Sequence, residues 1–357
     1  MRILLAAPTF GVYGGIEVFV MTLAGWLRQH TQHEVKVCFK VIAGRTVTPQ
    51  LEQRCDELGL SYAFVRRGSF DLLARIRWAD LVHSNTCSPD IALLAKAARR
   101  PLVLTIHNWF RGKRGLRNRV WYLCNRAADW RTYNSQFVLR TWEPDGPCSG
   151  SELIPTVSQL PTVQAPIAER RGFLFISRLI ENKGLDFLLK AYETADLDRA
   201  RWPLSIAGDG PLASWARQYV TERGLSTVHL LGFLEESDKA RRMAAAKWLV
   251  APANTREDMG LTPIEARSVA VPSIVTRDGG LPEAAGESAL LCEPGSVADL
   301  ARALEIAARM PADEYEHRAR VSRDSLRSYL RPLSVYPEIY ERVVARAHTP
   351  RPDVPSR

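Results

Sequence analysis

The chain has 357 residues, 46% of them hydrophobic and 24% charged, with a formal net charge of +9. That length exceeds what one hydrophobic core normally serves, so two domains are expected, and the composition is that of a globular protein. No apolar run is long enough to span a bilayer, and six scattered cysteines without metal-type spacing speak for core thiols of a reducing, cytoplasmic compartment over a disulfide framework.

Ile3–Ala7 is too brief for the core of a signal peptide and reads as a first strand. Gly11-Val12-Tyr13-Gly14-Gly15 follows it and opens a helix over Gly15–His30. Glycines at such a place let the backbone approach an anion or a bulky acceptor, although a plain tight turn explains them equally well. The spacing is not Gly-x-Gly-x-x-Gly, and no acidic residue clearly ends the second strand, so NAD is not expected. Strands over Val35–Val41, Leu81–Ser84, Leu102–Ile106 and Trp130–Asn134 follow, with a helix over Pro89–Ala98. His83 and Asn85 end one strand and His107 the next. A histidine at a strand's carboxyl end can donate to a sugar or a phosphate, while a satisfied structural histidine is the commoner case.

The charge is unevenly placed. Residues 1–165 hold 21 Lys and Arg against 12 Asp and Glu, and residues 99–140 hold ten basic residues against Asp129 alone. Within this segment Leu116, Val120, Leu123, Cys124 and Ala127 fall on one helical face, with Arg119, Tyr122, Asn125 and Arg126 toward the other sides. A basic helix carrying Arg114 and Arg117, with Trp109 just before it, suits an anionic membrane surface as well as plain solvent. Nothing resembles a nucleic-acid-binding module, so no nucleic acid is expected as partner.

From about 143 to 171 the chain is rich in Pro, Ser, Thr and Gly, without a helical period, and reads as a linker. The alternation then restarts, with strands over Phe173–Ser177, Leu204–Ala207, Val228–Leu231, Trp248–Ala251, Ser273–Thr276 and Ala289–Cys292. Helices are expected at about 184–194, 211–223, 236–245, 261–270 and 296–309. The C-terminal part, from Asp313 to about Ala347, is helical, with breaks at Pro332 and Pro337. This pattern predicts an α/β chain of two doubly wound parallel-sheet domains, residues 1–165 and 166–330, with a final helix and tail over 331–357. A ligand is expected in the cleft between them, at the carboxyl ends of the strands.

The second half carries the most informative residues. Arg178 and Lys183 bracket the loop after its first strand, and a guanidinium with an ammonium suits a diphosphate. Gly208-Asp209-Gly210-Pro211 is a turn opening a helix. Arg256-Glu257-Asp258-Met259-Gly260-Leu261 leads from a strand into a helix that carries Glu265. Free backbone N–H groups at that helix start offer a seat for phosphate, and two carboxylates can accept from sugar hydroxyls. Gly279-Gly280, with Glu283 after them, make another turn. Asp196-Leu197-Asp198 is formally a paired-aspartate pattern but sits at a helix end away from the other loops, so no metal is expected.

In this order the glycine loop, His107, Arg178 and Lys183, Gly208–Pro211, Glu257 with Glu265, and Gly279-Gly280 resemble the retaining GT-B glycosyltransferases of family 4. The resemblance runs from Met1 to about Val344, and its most specific parts are Ser177–Gly184 and Glu257–Glu265. It implies two Rossmann-like domains facing a central cleft and a nucleotide-diphosphate sugar donor, with no cofactor or metal. The last helix would cross back to the N-terminal domain.

Arg178 and Lys183 would then neutralise the departing diphosphate, Glu257 would hold the donor sugar, and Glu265 the ribose. His107 would lie near the reacting centre. Gly14, Gly15, Gly208, Gly210, Asp258, Met259, Gly260 and Leu261 would line the donor. Gly11, Tyr13, Asn85, Trp109, Arg114 and Arg117 would face a lipid-linked or saccharide acceptor. Asp258-Met259 departs from the family's usual glycine and aromatic residue, and Ser177 replaces a glycine. A sugar-nucleotide epimerase of the same fold would need acid/base residues that do not stand out, and a silent binding module would not need the intact charged set.

Overall fold

The computed structural model describes residues 1–12, 14–155, 157 and 160–348. The chain divides into two compact units, Met1–Ser158 with Arg331–Arg357, and Gln159–Leu330.

The first unit contains β1 (Arg2–Thr9), β2 (Glu34–Val41), β3 (Tyr62–Arg66), β4 (Leu81–Asn85), β5 (Leu102–Ile106), β6 (Trp130–Tyr133) and β7 (Ser151–Leu153). They form one parallel sheet in the order β3-β2-β1-β4-β5-β6-β7. Its sequence-to-space order reverses between β1 and β4, which is the signature of a doubly wound sheet. Both faces are covered, and β1 shows how: Ile3, Leu5 and Ala7 enter one core cluster, Leu4 and Ala6 the other. An alternation in which both faces are apolar leaves a continuous hydrophobic run, which is why this strand is legible in the sequence.

Two strands and three helices of this unit escape the sequence reading, the helix Gln136–Trp142 among them. β3 is mostly half-buried at one sheet edge, and β7 lies inside the Pro- and Gly-rich stretch that reads as linker. Helices at Pro49–Glu57 and Phe70–Trp78 are short, and each buries only two side chains, Leu51 with Cys55 and Leu72 with Ile76.

The last helix, Val335–His348, completes the first unit. Tyr336, Ile339, Tyr340 and Val343 recur at helical spacing and are buried against the helix Gly15–His30 and the sheet. Tyr340 Oη lies 2.6 Å from His83 Nδ1, so the helix supplies one of the two hydrogen-bond partners of a wholly buried histidine on β4, Thr105 Oγ1 being the other at 2.7 Å. Pro337, expected to break the helix, sits in its first turn, where the missing N–H has no intrahelical partner to lose.

The second unit repeats the design. β8 (Arg171–Ile176), β9 (Leu204–Ala207), β10 (Val228–Gly232), β11 (Ala246–Ala251), β12 (Ser273–Thr276) and β13 (Leu290–Cys292) form a parallel sheet in the order β10-β9-β8-β11-β12-β13. The reversal falls between β8 and β11. Phe173 and Phe175 face the larger core cluster and Leu174 the other. Arg267, fully buried, donates to the carbonyls of Ser322 and Ala284 and to Ser325 Oγ, tying the helix Leu261–Ser268 to the helical C-terminal part of the unit. Among the described residues no helix is long and apolar enough to cross a membrane, and all six cysteines are free.

Candidate functional site

In an open parallel sheet the loops at the carboxyl ends of the strands gather at the reversal point, where a crevice forms. In the second unit those loops follow β8 and β11, and they carry the charged residues singled out above. Lys183 ends a 3-10 turn after β8, and its Nζ lies 2.7 Å from Glu257 Oε1 on the loop after β11. The pair is only partly buried, at 22% and 19% side-chain exposure, so both groups remain reachable. Arg178 is exposed, and its guanidinium has no hydrogen-bond or ion-pair partner among the described residues.

Backbone contacts hold these loops together. Gly184 is in the left-handed region (φ 74°) and its α-carbon presses on the chain where β11 ends: a Cβ there would lie 1.9 Å from the Pro252 carbonyl oxygen. Gly208, with φ 132°, meets the Ser177 carbonyl in the same way at 1.8 Å. The loop that contains Gly208 and Gly210 is further pinned by Leu179 N donating to Asp209 O (2.8 Å). Gly280 N donates to Glu257 O at 2.7 Å, which fixes the Glu257 backbone from the β12 side.

Gly260 caps the helix Leu261–Ser268, whose first turn contains no acidic residue. Its dipole end is therefore not neutralised by its own sequence, and free N–H groups there favour an anion. Leu261 is exposed at this end and Asp258 is half-buried, while Met259 turns inward and is buried. Glu265, one turn into the helix, does not meet Glu257. Its Oε1 lies 3.2 Å from Lys239 Nζ, and Lys239 also pairs with Glu236 at 2.9 Å. Burial pushes the Glu265 carboxyl above its ordinary range, only partly offset by Lys239. Lys239 is raised: burial would lower it, but Glu265 and Glu236 outweigh that. Nothing in the sequence singles out Lys239, since one lysine on a charged helix is ordinary.

The first unit brings a second set together. His107, just past β5, has Nε2 3.3 Å from Asn85 Oδ1 at the end of β4 and stacks edge-on against Phe19 of the first helix. Burial holds its imidazole neutral, with the pKa pushed down to about 4. Asn85 is fully buried and its Nδ2 lacks a partner among the described residues. Gly14 caps the first helix, and Gly15 begins it. There the structure adds residues the sequence did not flag: buried Glu17 accepts from Thr9 Oγ1 at 2.6 Å, and Thr9 in turn accepts from Gly11 N at 2.9 Å. A carboxylate thus already sits at this helix start, unlike that of Leu261–Ser268. Tyr13 lies outside the described residues.

The basic segment forms the helix Leu116–Ala127, but its buried side is not the expected one. Cys124 and Asn125 are buried, while Leu116 and Leu123 are 79% and 64% exposed. The reason is polar: Asn125 donates to Tyr133 Oη (3.3 Å), so an amide takes the inward position and the leucines rotate out beside Arg119 and Arg126. Arg114 is exposed, Arg117 lies over the Trp121 ring (4.7 Å), and half-buried Trp109 carries Arg111 at 5.3 Å. Asp196 pairs with Arg309 at 2.6 Å, and Asp198 accepts from Arg201 N, so this pair is engaged in local structure.

Residues 13–156 match the family model Glycosyltransferase Family 4, and residues 162–325 match Glycosyl transferases group 1. Over 198 residues the chain is 32% identical to a GDP-mannose-dependent monoacylated alpha-(1-6)-phosphatidylinositol monomannoside mannosyltransferase of Corynebacterium glutamicum, covering 48% of this chain and 50% of that one. Over 103 residues it is 37% identical to O-antigen chain mannosyltransferase C of Escherichia coli, covering 29% of this chain and 26% of the relative. The chain thus spans half or less of the length of these relatives. The solved structure of Anabaena HepE in complex with UDP superposes with a TM-score of 0.82 at 19% identity, over 97% of this chain and all of that one. With a doubly wound parallel sheet in each unit and one of the two glycosyltransferase family models on each, the chain has the GT-B fold and is similar to glycosyltransferases in both units.

Proposed function

We propose that the chain is a retaining hexosyltransferase that moves a sugar from a nucleotide-diphosphate sugar, of UDP or GDP type, to a lipid-linked or polysaccharide acceptor. The observation that carries this reading is the composition of the β8/β11 reversal point. Unpaired Arg178, the Lys183–Glu257 pair and a helix start without an acidic first turn converge on the loops of two adjacent strands.

That set answers what the reaction demands. Breaking the glycosidic bond leaves negative charge on the departing diphosphate and positive character on the sugar. Arg178 and Lys183 stabilise the first without a divalent metal, assisted by the N–H groups at Gly260 and Leu261. Glu257 accepts from hydroxyls of the sugar, and Glu265, held by Lys239, accepts from the ribose. Neutral His107 gives its Nε2–H to Asn85 Oδ1, which leaves Nδ1 as an acceptor for a sugar hydroxyl. Three relatives named as mannosyltransferases favour a hexose donor.

The same reading assigns Leu116, Arg119, Leu123 and Arg126 to the anionic cytoplasmic face of a membrane, where a lipid-linked acceptor resides. The experiment is donor turnover by Arg178→Ala. Its side chain is exposed and unpartnered, so folding stability should stay within about 0.5 kcal/mol of the parent while transfer is lost. Near-normal transfer would remove the diphosphate role, and a strict metal requirement in EDTA would overturn the metal-free scheme.

A further inference from the structure

The last helix of the chain reaches His107 through a succession of rings. His107 and Phe19 of the helix Gly15–His30 lie with ring centroids 5.2 Å apart at an interplanar angle of 68°. Phe19 meets Tyr336 of the last helix at 5.9 Å and 65°, and Tyr336 stacks on His83 at 5.4 Å and 27°. His83 and Asn85 share one face of β4, since strand side chains alternate, and Asn85 Oδ1 takes the Nε2–H of His107. The contacts therefore close on themselves, running from β4 through Tyr336 and Phe19 to His107 and back to β4. His83 is held at both nitrogens, by Tyr340 Oη at 2.6 Å and Thr105 Oγ1 at 2.7 Å, so the frame has a fixed corner. We propose that Phe19, backed by Tyr336, is the positioning residue of His107, setting the plane of its imidazole and keeping water from it.

A hydrogen bond at Nε2 fixes one atom of the ring. The outer torsion of a histidine is broad, so that bond alone leaves the imidazole free to swing and to redirect Nδ1. An edge contact with a second ring removes the freedom, and aromatic pairs favour such crossed arrangements at these separations. Phe19 is 5% exposed and Tyr336 fully buried, so the wall is itself clamped. His107 is half-buried, which leaves it within reach of a sugar.

Burial is the cause that holds the imidazole neutral, at about 4. His83 on β4 senses His107 electrostatically and is neutral too, while Glu17 of the first helix is turned to Thr9 and Tyr340 of the last to His83. Opening the wall lets water solvate the imidazolium, and the group returns toward the ordinary histidine value near 6.5. The effect on transfer rests on the transferase reading; the state of the imidazole does not.

The test follows the full chain, labelled with carbon-13 at histidine Cε1, by NMR between about pH 7.5 and pH 5.5, a range that spans the ordinary histidine value. The His107 signal is identified by its absence in His107→Gln. It should be stationary in the parent and move with pH in Phe19→Ala. If Phe19→Ala does not fold, Phe19→Val, which opens less space, is titrated in its place. A stationary signal in the folded variant overturns the exclusion of water. Phe19→Leu keeps most of the apolar volume and should lower kcat about 10- to 100-fold, with KM for the nucleotide-sugar within about twofold of the parent. Tyr336→Leu should act in the same direction, and Tyr336→Phe, which keeps the ring, should restore at least about half the parent rate, the conservative rescue expected of an interaction carried by the ring. Parent kcat in Phe19→Leu, or a loss carried by KM alone, overturns the positioning role. Equal losses in Tyr336→Phe and Tyr336→Leu overturn the succession of rings. If the parent transfers nothing from any donor, the transferase reading fails, while the titration still decides the wall around His107.

Discussion

Gly184→Ala tests how the two charged loops of the second unit are held. At φ 74° a side chain costs about 1–2 kcal/mol, as for any L-residue in the left-handed region. The added Cβ would also sit 1.9 Å from the Pro252 carbonyl oxygen, so the two loops must separate by about 1 Å before the contact is tolerable. Crowding of that kind adds about 1–3 kcal/mol. A total near 3 kcal/mol lowers the unfolding temperature of a unit this size by roughly 6–12 °C. Lys183 is the preceding residue, so the same displacement draws its ammonium away from Glu257, and a misplacement of about 1 Å in such a constellation costs on the order of 100-fold in rate. The control is Gly224→Ala: its φ of 60° carries the same conformational cost, but nothing lies within 4 Å of its Cβ. Differential scanning calorimetry and donor turnover should therefore separate the two variants, with Gly224→Ala losing about 1–2 kcal/mol and no activity. Equal thermal losses with full turnover in both would refute the crowding argument.

Three further outcomes follow from the buried charges and the basic helix. Lys239→Met leaves Glu265 without its cation and should cost about 2–4 kcal/mol at pH 8, a value that Glu265→Gln in the same chain should largely restore. A carboxyl raised by burial binds its proton more readily in the folded chain than in the unfolded one. The deficit should thus shrink as pH falls below the raised value toward 4.5, and a deficit independent of pH would show that Glu265 is not its source. His83 and His107 are depressed to about 3 and about 4, so the stability they confer is full above pH 6.5 and lost as pH falls through those values, at roughly 1.36 kcal/mol for each pH unit between. Urea unfolding of His83→Gln should accordingly be less pH-sensitive between 6.5 and 4 than the parent; an unchanged slope would remove His83 from the acid response. Replacing Arg114, Arg119 and Arg126 by Ser should weaken co-sedimentation with vesicles rich in anionic lipid by roughly 100-fold, about 1 kcal/mol per charge, with donor binding intact. Unaltered sedimentation would assign the basic face to solvent.

The two-sheet plan was legible because interior strands such as β1 and β8 are apolar on both faces and short, with glycine turns at their ends. What lay hidden was hidden by edges and by polar partnerships. β3 and β7 sit at the rims of their sheet, where half-exposed residues carry no alternation to read. The helix over 116–127 was recognised but turned to the wrong side, since hydropathy ranks Leu116 and Leu123 above Asn125 and has no means of seeing that Tyr133 waits for the amide. The same limit applies in the candidate site. Glu257 and Glu265 stand out by spacing, but that one takes Lys183 and the other Lys239 depends on which strands are neighbours in space. Likewise Glu17 reads as an ordinary first-turn acid until Thr9 is seen to bind it.

The helix that carries Tyr336, Ile339 and Tyr340 also bears on how the molecule is made. His83 and the tyrosine that holds its Nδ1 are 257 positions apart in the chain. At roughly 5–20 residues per second, a ribosome needs about 13–50 s to deliver the second after the first. During that interval the first sheet has a gap in one face, whereas the whole of the second unit, contiguous in the chain, is synthesised within it. The nascent chain therefore finishes its later unit before its earlier one, and the apolar patch left waiting, which includes Phe19 of the helix Gly15–His30 where Tyr336 will pack, is the surface a chaperone would have to cover in the meantime.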